Sequence, residues 1–164
     1  MADSVPRKVI ARWKDELSKI DDEQAHAQIR KRISEYEDAG EGACWLRDSF
    51  NAEIVQTALK HSDQERYKLL EWCIMPNHVH ALIRVHENHS TEQIVRSRKN
   101  FTARRINQHI GKQGRLWEPD YFDRLIRDEE HLVRATRYIR MNPVKAGLCK
   151  APEHWRWSSA WTGH

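Results

Sequence analysis

An α+β fold is what this sequence predicts, and three observations carry the prediction. Apolar residues recur at three- and four-residue spacing over most of the chain. They alternate at every second position over one short stretch, and turn residues separate the two periods. With 164 residues, 39% of them hydrophobic, there is one domain's worth of chain and a modest core. Charged residues make up 32%, above the usual quarter, so the surface is densely charged. No stretch approaches the roughly 18 apolar residues of a membrane span, and no signal segment opens the chain. We therefore expect a cytoplasmic protein with no membrane association. Cys44, Cys73 and Cys149 are odd in number and widely spaced, which argues against a disulfide framework or a thiolate zinc site.

The elements follow in order. Val9, Ile10, Trp13, Leu17 and Ile20 predict one helix. Ala25, Ile29, Ile33 and Tyr36 continue the pattern after Asp21-Asp22, and Gly40 and Gly42 close it. A third helix starts at the N-cap Asp48, with Phe50, Ile54, Val55, Ala58 and Leu59 on one stripe. Residues 67–75 form an apolar-rich run, Pro76-Asn77 signals a turn, and 79–85 alternates, so the two runs predict an antiparallel hairpin. Ser90 or Thr91 caps a basic helix ending at Gly111. A short strand is expected at 122–127. After it comes a helix opened by Asp128, Glu129 and Glu130 and stopping at Asn142-Pro143. No linker splits the chain, so we read 1–164 as a single domain: a helical segment over 1–42 and a core over 43–164.

Charge is unevenly distributed. Residues 1–80 carry 12 Lys/Arg against 15 Asp/Glu, and residues 81–164 carry 16 against 9. Arg96, Arg98, Lys99, Arg104, Arg105, Lys112 and Arg115 form a stretch without an acidic residue. Such a stretch fits phosphate neutralisation on nucleic acid, and equally a solvated helix face.

His78 and His80 stand two apart on a strand, so both imidazoles leave one face and can chelate a divalent ion. Such a pair also reads as polar surface. On the last helix, His131, Arg134, Ala135, Met141 and Asn142 fall within about 60° of Tyr138, while Leu132, Val133, Thr136 and Ile139 fall on the other side. A helical tyrosine is commonly a core residue with its hydroxyl at the rim. Asn142, one turn on, offers a carbonyl oxygen that can complete a metal site beside the phenol. A phenol ionises near pH 10 and is a weak nucleophile at neutral pH, so a metal that polarises a phosphate and aligns it is a fitting companion. The set is coherent for attack on a phosphodiester.

Longer blocks carry a resemblance. Met75-Pro76-Asn77-His78-Val79-His80 resembles the His-hydrophobic-His strand of the single-tyrosine HUH transposases. Trp117-Glu118-Pro119-Asp120-Tyr121-Phe122-Asp123, Arg137-Tyr138-Ile139-Arg140-Met141-Asn142-Pro143 and Trp157-Ser158-Ser159-Ala160 resemble motifs of their REP-associated tyrosine transposase branch. The resemblance covers roughly residues 43–160. It implies a ferredoxin-like, RRM-like antiparallel sheet with helices, Mg²⁺ or Mn²⁺ on His78, His80 and Asn142, and Tyr138 as nucleophile. The implied substrate is single-stranded DNA around hairpins, cleaved to a 5′-phosphotyrosine, by a monomer or homodimer. The family's opening strand has no counterpart before the first helix here, so we expect that strand to be missing.

The leading reading is a metal-dependent tyrosine DNA transesterase. A catalytically inactive or domesticated single-stranded DNA-binding protein is the second, and a water-using metal nuclease the third. Trp117 and Trp155 are open candidates for base stacking, whereas Trp157 is expected to pack the tail.

Overall fold

The computed structural model describes residues 7–17, 24, 28–29, 31–33, 35–36, 42–118, 121 and 123–163. Helix α1 spans Arg7–Glu16, and the described positions between 24 and 36 are helical. Leu17, Ile29 and Ile33 are buried together, with Val9, Trp13 and Tyr36 against them. Arg32 Nη1 donates to Glu16 Oε2 at 2.6 Å. The breaks expected at Asp21-Asp22 and Gly40 lie outside the described residues, as does any strand ahead of residue 7.

From Cys44 onward the elements follow the sequence signals closely. Asp48 caps α2 (Ser49–His61), its Oδ1 accepting from the amides of Phe50 and Asn51 at 2.8 and 3.3 Å. Ile54, Val55, Ala58 and Leu59 are buried on one face. Phe50 departs from the expected stripe: it is exposed and lies against the His109 ring, centroids 4.3 Å apart. Strands β1 (Tyr67–Ile74) and β2 (Val79–Val85) form the antiparallel hairpin. Helix α3 (Thr91–Ile110) starts at Ser90, whose Oγ accepts from Gln93 N, and ends at Gly111 with φ 65°. Helix α4 (Glu129–Lys145) starts at Asp128, whose Oδ1 accepts from His131 N at 2.6 Å.

Two boundaries differ from the sequence expectation. Helix α4 does not stop at Asn142-Pro143 but carries Pro143 inside it. The ring removes one intrahelical hydrogen bond, the one to the Ile139 carbonyl, in the last turn of the helix. The real stop is Gly147 at φ 69°. Its amide donates to the Val144 carbonyl and that of Leu148 to the Pro143 carbonyl, both closing carbonyls that would otherwise be orphaned. The second difference is the strand expected at 122–127. Phe122 lies outside the described residues, and 123–127 form no strand. Among the described residues the sheet consists of β1 and β2, and no strand of it pairs with 123–127.

The hairpin has two different faces. Residues Trp72, Ile74 and Val79 join Ile54, Val55, Leu59, Ile106, Trp117 and Trp157 in the main core. On the opposite face, Cys73, Met75 and Leu82 pack with Ile139 of α4, and Ile126, Leu132 and Tyr138 close around them. The pairing Cys73↔His80 and Glu71↔Leu82 puts these four on that second face, with a register shift between Leu69 and Glu71. The C-terminal segment lines the outer edge of β1. Ile74 N donates to Trp157 O at 2.8 Å and Ser159 N to Trp72 O at 3.0 Å. No helix among the described residues is long and apolar enough to cross a membrane.

Candidate active site

Asn77 and His78 form the turn into β2, and both are buried, as is Asn142 of α4. His78 Nδ1 is 2.7 Å from Asn77 Oδ1. A carboxamide oxygen only accepts, so the His78 proton sits on Nδ1 and its Nε2 presents a lone pair. That lone pair points at His80 Nε2, 2.9 Å away, and Asn142 Nδ2 lies 3.2 Å from the same His80 atom. If His80 Nε2 is protonated, it meets a donor in the Asn142 amide. If it is bare, two lone pairs face each other. With the Asn142 amide turned to present its oxygen, a protonated His80 Nε2 has acceptors in His78 and Asn142, and a bare one leaves three donor atoms of the kind a cation takes around one point. The 2.9 Å separation also matches adjacent ligands each about 2.1 Å from an octahedral ion. The residues fit a divalent ion.

Helix α4 brings the phenol to the same place. Ile139 points down onto the sheet and is buried. Tyr138 and Asn142 leave the flank beside β2, and the Tyr138 ring meets His80 edge-on with centroids 5.2 Å apart. Lys145 Nζ lies 5.4 Å from the Tyr138 centroid. The tyrosine is thus a half-buried residue at the rim of the second core cluster and a neighbour of the histidine pair. The apolar stripe expected opposite is only partly covered. Val133 is 60% exposed and, with Leu132, Thr136, Met141 and Pro152, lines an open apolar groove.

The seven basic residues of 96–115 do not share one surface. Arg96, Lys99 and Arg115 line a groove between α3 and the following loop, with Asn100, Trp117 and Tyr121. Lys99 Nζ donates to the Glu118 carbonyl at 2.8 Å and lies 5.7 Å from the Tyr121 centroid. Lys112 Nζ sits 4.5 Å from the Trp45 centroid, and Arg104 and Arg105 are exposed elsewhere on α3. Arg98 is turned inward and buried, donating to Ser62 Oγ, so it is a core residue and not part of a DNA-facing surface. Its position, 200° from Arg96 around the helix, sends it to the opposite side. Trp117 is likewise buried, its Nε1 donating to Thr102 Oγ1 at 2.8 Å, and offers no stacking face. Trp155 Nε1 donates to the Ile74 carbonyl at 3.0 Å, and Trp157 packs in the core as expected.

Sequence reasoning did not single out Glu71 or Arg140 as site residues. Glu71 is buried on the second face, and Arg140 donates to both its oxygens at 2.8 and 2.7 Å. The signal was a lone carboxylate inside the otherwise apolar run 69–75, which demands a buried partner.

The buried His78 at the turn and the half-buried His80 on β2 thus stand beside an amide and a tyrosine from the helix laid across the hairpin. The description "Transposase IS200 like" matches residues 43–142, more than half of the chain, and the chain belongs to that family. It is a family of DNA-processing enzymes that are generally metal-dependent. A REP-associated tyrosine transposase of Haemophilus influenzae is 31% identical over 97 residues, 53% of this chain and 55% of that protein. The chain thus spans about half the length of that curated relative. A solved REP-associated tyrosine transposase bound to a REP hairpin superposes with a TM-score of 0.55 and 22% identity. The match covers 65% of this chain and 63% of that one, and it shows a shared fold.

Proposed function

We propose that this chain is a tyrosine transposase-like enzyme that nicks and rejoins single-stranded DNA beside hairpins. One observation carries the reading: His78, His80, Asn142 and Tyr138 meet from two elements at a single point. His78, His80 and Asn142 are the ligands we assign to Mg²⁺ or Mn²⁺. The bound ion supplies positive charge that polarises the scissile phosphate. Tyr138 Oη attacks phosphorus and loses its proton. The P–O3′ bond breaks, and the departing 3′-oxygen takes up a proton, leaving a 5′-phosphotyrosine and a free 3′-hydroxyl. Rejoining is the reverse attack by a 3′-hydroxyl on that ester. Arg96, Lys99, Arg104, Arg105, Lys112 and Arg115 are the cations we assign to the phosphates. The relative solved with a hairpin supports the choice of a hairpin-bearing strand. We assign residues 43–164 to the catalytic core of a single domain and place its work in the cytoplasm, as monomer or homodimer.

Labelled hairpin-bearing single-stranded DNA incubated with the protein and Mn²⁺ tests this directly. We expect a covalent adduct that survives denaturation and is lost in Tyr138→Phe. Binding without an adduct would leave a single-stranded DNA-binding protein, and cleavage that persists in Tyr138→Phe would make the enzyme a water-using nuclease.

A further inference from the structure

Around α4, one residue per 100° places Ile139 against the sheet, Tyr138 and Asn142 on the flank beside β2, and Arg140 on the opposite flank. Arg140 reaches across β1 to Glu71 through two hydrogen bonds of 2.8 and 2.7 Å. The Glu71 carboxylate is buried and accepts a third bond from Ser159 Oγ at 3.0 Å. Ser159 Oγ also accepts from Trp72 N at 3.0 Å. The C-terminal segment, β1 and the far flank of the tyrosine helix therefore meet on one carboxylate. The bidentate fork fixes direction as well as distance, and the hydrogen bond to Glu71 strengthens the hold of Arg140 on its proton.

We propose that Glu71 is a positioning residue that sets the roll of α4 and thereby the place of Tyr138 and Asn142 relative to the histidine pair. The apolar contacts of Ile139, with Leu132 and Tyr138 around it, hold the helix on the sheet but carry little directional preference about its axis. The Arg140–Glu71 fork resists a roll about that axis from the far side. A side-chain tip about 6 Å from the helix axis moves about 1 Å in a 10° roll, and a misplacement of that size costs on the order of 100-fold in rate. This role rests on the reading of Tyr138 as nucleophile, but the placement of its ring is measurable without any reaction.

The test uses the full chain labelled with 3-fluorotyrosine, with the Tyr138 resonance assigned from Tyr138→Phe. In Glu71→Gln we expect the Tyr138 ¹⁹F resonance to shift while that of Tyr67, buried in the main body, stays in place. Arg140→Lys, a change on the half-exposed partner, should give the same selective shift if Glu71→Gln does not fold. The adduct-forming rate at saturating DNA should fall about 100-fold, with DNA affinity within twofold of wild type. A Tyr138 resonance that does not move, or one that moves together with Tyr67, overturns the proposal. If the wild type forms no adduct, the nucleophile reading fails by itself, and the resonance still decides whether Glu71 places the ring.

Discussion

His78 and His80 bring their Nε2 atoms to 2.9 Å, and the tautomer of the first is set from behind by Asn77 Oδ1 at 2.7 Å. Removing that acceptor frees the His78 ring to turn and to carry its proton on either nitrogen. Asn77→Ala should therefore weaken Mn²⁺ binding 10- to 100-fold without touching a ligand. His80→Ala should weaken it further. Calorimetric titration of Mn²⁺ into the three proteins checks the order; equal affinity in wild type and Asn77→Ala would show that the ring is held by something else.

The end of the tyrosine helix supplies a second prediction. Gly147 stands at φ 69°, where a side chain costs roughly 1–2 kcal/mol. Its amide and that of Leu148 close the carbonyls of Val144 and Pro143. Gly147→Ala should lower the unfolding free energy by about 1 kcal/mol, seen as a lower urea midpoint with an unchanged slope. Gly147→Asn should cost less, because asparagine tolerates the left-handed region.

Charge removal on α3 should separate surface from core. Arg96→Ala and Arg115→Ala should each weaken hairpin-DNA binding and reduce the log–log salt slope by about 1. Arg98→Met should leave that slope alone. It strips Ser62 of a buried partner and should cost about 1–3 kcal/mol of stability. Binding isotherms at several salt concentrations, beside urea melts, distinguish the two behaviours.

Most of the frame was legible because its signals are local. Asp48, Ser90 and Asp128 each cap a helix where a short polar side chain precedes an apolar period. The alternation of 79–85 places His80 and Leu82 on one face, as observed. What was not legible depends on neighbours. Arg98 and Arg96 look alike in a basic run, and only the packing of α3 against α2 turns one inward. The segment 123–127 offers only Leu125 and Ile126 to a strand, and strand is a property of a pair whose partner is not set by its own residues. Glu71 and Arg140 are 69 positions apart, so their pairing emerges only after β1 and α4 have packed.

Cys73 gives a pH dependence with a definite sign. It is fully buried on the face shared with His80, and its thiol is pushed up from 9.0 to about 12, first by burial and then by nearby Cys149 and Glu71. The unfolded chain loses this proton from about pH 8.5 upward, while the folded chain keeps it. Between those limits the native state binds more protons, so stability is full below the unfolded value and falls as pH rises toward 12. The slope is at most about 1.4 kcal/mol per pH unit for the one proton. Urea unfolding at pH 8.5, 9.25 and 10 should show this decline, and Cys73→Ala should make it shallower. The interval stays mostly below the range where buried Tyr67, whose hydroxyl is also pushed up by burial, adds a loss of the same sign. Identical slopes in wild type and Cys73→Ala would refute the assignment. The same protonated, enclosed thiol should resist a disulfide-exchange reagent at pH 8 in the native protein and react once urea unfolds it.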